Sequence, residues 1–307
     1  MVSAGHGAGD STYPWVEAPA AGRVAADSDA ACEGPRPPRG KPWLTGPAFD
    51  AYTARDNQPA CGGVVVSCSQ TVLSSLVRMS CTLGEPGAGN VILGEGNTAA
   101  RCSPESFLVK ASGFVLADIG ADGFVEVAFA PLLAALDSDL DDSAVGDILQ
   151  RAKADASAAR PSVETFLHAV ALEEGGATFV GHTHPVSVNR VLCSVAAEEA
   201  VTGRLFPDEI VSCGARSLVL PYCDPGLTLA RQFRSALQRF IHEEGRAPKV
   251  VLALNHGLIV LGETADDVVA TTAMTVKAFE ILWGTYALGG PSFLSPQQVA
   301  RIGQRPD

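Results

Sequence analysis

Apolar positions along the chain follow two periods, one helical and one of two residues, and their succession lays out the elements. From Thr71 to Leu83, Val72, Leu73, Leu76, Val77 and Met79 recur at helical spacing, and Gly84-Glu85-Pro86-Gly87 ends that helix. A β-rich block follows. Asn90-Val91-Ile92-Leu93 leads into the turn Gly94-Glu95-Gly96-Asn97-Thr98, and Phe107-Leu108-Val109-Lys110 leads into Ala111-Ser112-Gly113. Phe124-Val125-Glu126-Val127 alternates after the turn signal Ala121-Asp122-Gly123. Residues 143–174 read as helical with a break at Arg160-Pro161, and the second helix there starts near Ser162 with Glu164 in its first turn. Ala177-Thr178-Phe179-Val180 reads as a strand that runs into Gly181-His182-Thr183-His184 and stops at Pro185.

Helical segments are expected over 186–193 and 196–205, and strands over 209–213 and 217–222. A long amphipathic helix over 226–244 places Leu229, Phe233, Leu237, Phe240 and Ile241 on one side. Two strands, 250–254 and 258–261, flank His256-Gly257. A closing helix over about 265–287 packs Val268, Val269, Met274, Phe279, Ile281 and Leu282. There are no internal repeats and no heptads. The irregular succession of strands and helices, with several antiparallel neighbours expected, favours α/β layers around a mixed sheet over a doubly wound parallel sheet.

Composition narrows the class. Apolar residues make up 47% of the 307 and charged residues 18%, which suits a well-buried α/β enzyme. With 22 Lys and Arg against 34 Asp and Glu the formal charge is −12, and no basic cluster interrupts it, so neither a nucleic acid nor an anionic membrane is an expected partner. No apolar run approaches the roughly 20 residues of a spanning helix, and the N-terminus lacks the layout of a signal peptide. Residues 1–60 are rich in Gly, Ala, Pro and Asp and are expected to form an extended or partly disordered arm ahead of one catalytic domain over 61–307. The eight cysteines contain no CxxC pair and are read as buried or idle thiols of a cytoplasmic protein, with Cys102 expected in core packing.

The chemistry concentrates in Gly181-His182-Thr183-His184-Pro185. Residues two apart in a strand share a face, so the imidazoles of His182 and His184 project together and can bind one metal ion. Of the four other histidines, His6 lies in the leader, His168 within a helix and His242 on a polar helix face. His256, at the end of a strand and before a glycine, is the natural third ligand. Glu164 by itself reads as a helix-start carboxylate favoured by the helix dipole. His168, four residues on, shares its face and reads as a buried, hydrogen-bonded helix residue. The turns at Asn97 and at Ser112-Gly113, with the helix start at Ser162, carry the small residues and free backbone N–H groups of an anion cradle, a weak signal when taken alone. Lys110 either adds positive charge to that cradle or, by strand alternation, faces solvent.

In combination, GEGNT, KASG, PSVETFLHA, GHTHP and NHGLIVLGET resemble the class II aldolase/adducin family, in matching order and spacing from about residue 70 to 285. The resemblance is nearest to the aldolase part of rhamnulose-phosphate aldolase fusions, which share VKxSG, PSVETxLHA and the VxPYxxPGxxLA pattern of Val219–Ala230. In such fusions a dehydrogenase domain follows, for which this chain leaves no room before Asp307. The resemblance implies a three-layer α/β/α sandwich around a mixed, mostly antiparallel sheet, and a homotetramer with active sites between subunits. It further implies that His182, His184 and His256 bind Zn²⁺ (Fe²⁺, Mn²⁺ or Co²⁺ being alternatives) and that Glu164 is the catalytic acid/base. Asn97, Ser112, Gly113 and Ser162 then bind the substrate phosphate. The implied reaction is retro-aldol cleavage of a ketose 1-phosphate to dihydroxyacetone phosphate and an aldehyde. Epimerisation, dehydration and decarboxylation of a sugar or sugar-acid phosphate are the alternatives on the same site. A non-catalytic adducin-like module or an iron(II) oxygenase is a more distant one. Two departures are visible: Val163 stands where fuculose-phosphate members carry a second serine, and no tyrosine lies between His184 and Tyr222.

Overall fold

A computed structural model describes residues 68–138 and 142–305, without the side chains of 142 and 143. The arm expected over 1–60 lies outside the described residues. The first helix, α1 (Gln70–Leu83), starts at Ser69, whose hydroxyl accepts from the Val72 N–H at 3.2 Å, and it buries Leu76, Met79 and Leu83. The strands β1 (Asn97–Arg101), β2 (Ser106–Lys110) and β3 (Phe124–Ala128) form a meander, followed by α2 (Phe129–Leu136), α3 (Asp142–Ala152) and α4 (Thr165–Glu173). Then come β4 (Phe179–Thr183), α5 (Val186–Leu192), α6 (Ala197–Ala200), α7 (Pro207–Cys213) and β5 (Leu218–Leu220). The chain continues through α8 (Leu227–Glu244), β6 (Val250–Ala253), β7 (Gly257–Gly262), α9 (Ala265–Thr285) and α10 (Pro296–Gly303).

The seven strands make one sheet in the order β3-β2-β1-β4-β7-β6-β5, antiparallel at every step except the parallel β5–β6 pair. Alternation sends side chains to two separate cores. Leu258 and Val260 of β7 pack with α1, α5 and α9, whereas Ile259 and Leu261 pack with α2, α4 and α8. Helices therefore cover both faces of a mixed, mostly antiparallel sheet, the three-layer sandwich that the family resemblance implies. Side chains such as Phe107, Phe166 and Phe233 are fully buried, each stabilising the fold by about 1.5–3 kcal/mol relative to exposure. Among the described residues no helix is long and apolar enough to cross a membrane.

Several local expectations need correction. The segment 90–93 is not a strand; β1 begins after the turn, at Asn97, because Gly96 takes a left-handed φ of 70° and reverses the chain there. Residues 209–213 form the helix α7 instead of a strand, since Pro207 occupies its first turn and Asp208 and Glu209 complement the helix dipole. The helix expected over 196–205 keeps only Ala197–Ala200, and Ile281, expected in the core, is 41% exposed. Cys68 and Cys102 are joined in a disulfide, so they are neither idle nor free thiols. Packing of α1 against β1 brings their Cα atoms to 4.6 Å, within disulfide reach, across a separation of 34 residues that carries no motif. Lys110 does not face solvent: it is buried, with Nζ donating to the Gly94 carbonyl at 3.3 Å.

Candidate metal centre

Three adjacent backbone elements bring the site together. Strand β4 carries His182, and the chain just beyond it carries His184, whose N–H donates to the Asn90 carbonyl at 2.8 Å before Pro185 turns the chain into α5. The three-residue connection between β6 and β7 carries His256. It turns through Asn255, whose φ of 56° lies in the left-handed region that Asn tolerates, and Asn189 Nδ2 holds the His256 carbonyl at 3.0 Å. Because β4 pairs with β7 and with β1, His182 is registered opposite Ile259 on one side and Asn97 on the other.

The three imidazoles converge edge to edge. His182 Nε2 lies 3.0 Å from His184 Nε2 and 3.2 Å from His256 Nε2, and together they form a group that could hold one metal ion. His182 Nδ1 lies 3.0 Å from the Leu258 carbonyl, which can only accept, so Nδ1 carries the proton and Nε2 presents its lone pair to the centre. Burial pushes the pKa of His182 down, and that of His184 down to about 4 with His182 and His256 contributing, so both rings are neutral near pH 7. Gly257 gives the rings room. A Cβ there would stand 2.6 Å from His184 Cδ2 and from the Thr183 carbonyl oxygen. Gly257→Ala is accordingly expected to weaken Zn²⁺ binding by about 10- to 100-fold and to cost about 1–3 kcal/mol of stability from overpacking. Isothermal titration and thermal melting of the variant measure the two effects.

Glu164 joins this group from the helix layer that covers the face on which His182 lies. It is the N-cap of α4 and not a first-turn residue, because the helix begins three residues beyond Ser162. Its Oε1 lies 3.2 Å from His256 Nε2 and its Oε2 3.4 Å from His182 Nε2. Burial pushes the carboxyl pKa up, but His182, His256 and Asn97 together outweigh burial and hold it well below the usual carboxylate range. An ionised carboxylate beside an unprotonated Nε2 sets lone pair against lone pair. That donor set fits a divalent cation held among the three histidines. Glu164 Oε1 is buried without a hydrogen-bond partner, while Oε2 accepts from Asn97 Nδ2 at 2.7 Å.

The remaining candidates surround Glu164 unevenly. Ser162 Oγ accepts from the Glu164 N–H at 3.3 Å and lies 3.4 Å from Asn97 Nδ2. Ser112 and Gly113 are exposed, Gly113 with a φ of 92°, and the Ser112 N–H donates to the Arg160 carbonyl at 2.8 Å, which places this turn beside the strand end leading to Ser162. Asn97 is buried with both ends of its amide engaged by protein groups. His168 is fully buried, as expected, and burial drives its pKa down to about 3, with His182 reinforcing the shift. His242 is exposed on α8, apart from the cluster. One contributor escaped the sequence reading. Glu95 Oε1 lies 3.8 Å from His184 Nδ1, and the only sequence signal for it is its place within GEGNT.

Known proteins share this frame. A curated relative, an uncharacterized oxidoreductase YuxG of Bacillus subtilis, is 28% identical over 196 residues, which cover 61% of this chain and 26% of the relative. The chain thus spans about a quarter of the length of that protein. The N-terminal class II aldolase domain of a conserved protein from Thermoplasma acidophilum superposes with a TM-score of 0.55 at 25% identity, covering 74% of this chain and 99% of that one. An l-fuculose-1-phosphate aldolase from Thermus thermophilus superposes with a TM-score of 0.50 at 18% identity, covering 72% and 98%, and shares the fold. The family model for the class II aldolase and adducin N-terminal domain matches residues 77–283, about two thirds of the chain. On the strength of that match the protein belongs to the class II aldolase and adducin N-terminal domain family.

Proposed function

We propose that this protein is a divalent-metal-dependent lyase that cleaves a ketose 1-phosphate to dihydroxyacetone phosphate and an aldehyde. The observation that carries the proposal is the convergence of three imidazoles and one ionised carboxylate on a single point. His182, His184 and His256 would hold the ion, with Zn²⁺ the best match to three nitrogen donors and Fe²⁺, Mn²⁺ and Co²⁺ as alternatives. When bound, such a cation supplies positive charge against the oxyanion that develops when a C–C bond beside a carbonyl breaks.

In a retro-aldol cleavage the hydroxyl beyond the breaking bond loses its proton and becomes the aldehyde carbonyl. The electron pair of the C–C bond stays on the carbon next to the ketone, and that carbon then takes a proton. Glu164 is the group assigned to proton movement. Its Oε2 is fixed by Asn97, which leaves Oε1 to exchange the proton. The phosphate is assigned to uncharged donors at Ser112, Gly113 and Ser162. Asn97 borders that cradle and touches it through Ser162. Apolar side chains next to site residues are exposed, namely Val163 before Glu164, Val186 after Pro185, and Ile92 and Leu93 ahead of the Gly94–Asn97 turn. They support assembly into a homo-oligomer, taken as a tetramer, that covers them.

An anchor remote from the reacting carbons is held in ground and transition state alike, so its loss appears as weaker binding. Ser112→Ala is expected to raise KM several-fold while leaving kcat within about two-fold, and inorganic phosphate is expected to compete with substrate. Equal turnover of a free sugar and its phosphate, without phosphate inhibition, would remove the cradle from the proposal. Product analysis tests the reaction itself. Dihydroxyacetone phosphate plus an aldehyde supports the lyase, whereas CO₂ from a keto-acid phosphate, or an epimer without cleavage, assigns a sibling reaction.

A further inference from the structure

His168 has a role that its burial alone does not account for. It sits on α4 one helical turn after Glu164, fully buried, and its Nε2 lies 2.5 Å from Asn97 Oδ1. The same Asn97 side chain donates from Nδ2 to Glu164 Oε2 at 2.7 Å. The polarity of this chain of contacts is determined. An ionised carboxylate only accepts, so the amide nitrogen of Asn97 must face Glu164, its Oδ1 must face His168, and His168 Nε2 must carry the proton. The opposite ring nitrogen, Nδ1, is then bare, and it is buried without a hydrogen-bond partner. A buried polar atom left unpaired destabilises a fold, so an aliphatic side chain of similar shape would serve packing better. What the imidazole contributes is the orientation of Asn97.

We propose that His168 is a positioning residue that acts through Asn97 to hold Glu164 Oε2, keeping Oε1 directed at the cluster of His182, His184 and His256. Without that donor the Asn97 amide is held only through Nδ2, by Glu164 and Ser162, and the bond that distinguishes the two carboxylate oxygens is less firmly fixed. Asn97 is the first residue of β1 and is registered opposite His182, so the relay also ties the N-terminus of α4 to the strand that carries His182. The inference rests on the reading of Glu164 as the acid/base.

The test compares His168→Met, which keeps the volume and removes the donor, with His168→Gln, which keeps an N–H. Each is made in the wild-type and the Glu164→Gln backgrounds. In the wild-type background His168→Met is expected to lower kcat by about 10- to 100-fold with KM and metal content unchanged, and His168→Gln to recover part of the loss. In the Glu164→Gln background His168→Met is expected to change kcat by less than about two-fold, because the group it acts through is already disabled. Equal losses in both backgrounds, accompanied by a lowered Tm, would overturn the relay in favour of a packing role. Hydrogen exchange of the Asn97 side-chain amide, followed by NMR, reads the relay without any assay of turnover. Its protection is expected to fall in His168→Met, and unchanged protection would overturn the proposal. If Glu164→Gln alone leaves turnover intact, the lyase reading fails while the exchange measurement still decides the relay.

Discussion

His184→Ala is expected to purify folded but without bound divalent metal, and to be inactive. His184 follows the last residue of β4, and its backbone is held by Asn90, so truncating the side chain leaves β4, β1 and β7 paired as before. What disappears is one of three nitrogen donors, the one whose Nε2 stands 3.0 Å from His182 Nε2. Two imidazoles rarely hold Zn²⁺ against water. The loss of affinity should exceed the roughly 10- to 100-fold caused by removing an outer-shell partner. Metal analysis after dialysis, with circular dichroism as the check on folding, measures it. Full occupancy in the variant would exclude His184 as a ligand.

Glu164→Gln is the second large effect. The amide is nearly isosteric with the carboxylate, and its oxygen can still accept from Asn97 Nδ2, so packing and orientation survive. The substitution removes the ability to take and return a proton, and loss of a general acid/base costs on the order of 10²–10⁴ in rate. Metal content should remain near that of the wild type, because three histidines are still present. Turnover close to the wild-type value would return Glu164 to the lesser role of a charge at the start of a helix.

The convergence of the three histidines was legible in the residues because it follows from strand geometry. A period of two puts His182 and His184 on one face, and the β6–β7 turn that carries His256 closes beside β4 through ordinary strand pairing. Glu164 was not legible in that way. Its carboxylate reaches the cluster from another layer, and only the family resemblance singled it out from other helix-start acids. The partnership of His168 with Asn97 spans 71 residues, and no spacing rule connects a helix interior to the first residue of a strand. The Cys68–Cys102 pairing depends in the same way on how α1 lies against β1. Local misreadings have local causes. A β-branched run such as Glu209–Cys213 looks like a strand until Pro207 and the acidic pair behind it are weighed as a helix start. Lys110 is buried because the Gly94 carbonyl receives its ammonium, a contact outside the strand alternation that the sequence displays.

The central claim is that one divalent ion among His182, His184 and His256 enables C–C cleavage. Titrating Zn²⁺ into metal-stripped protein while following dihydroxyacetone phosphate released from a panel of ketose 1-phosphates tests it most directly. The account predicts no release from the stripped protein and a rise that levels off at one equivalent of metal per chain. Cleavage that proceeds at full rate without metal would contradict it, as would metal binding at one equivalent with no cleavage of any ketose 1-phosphate in the panel.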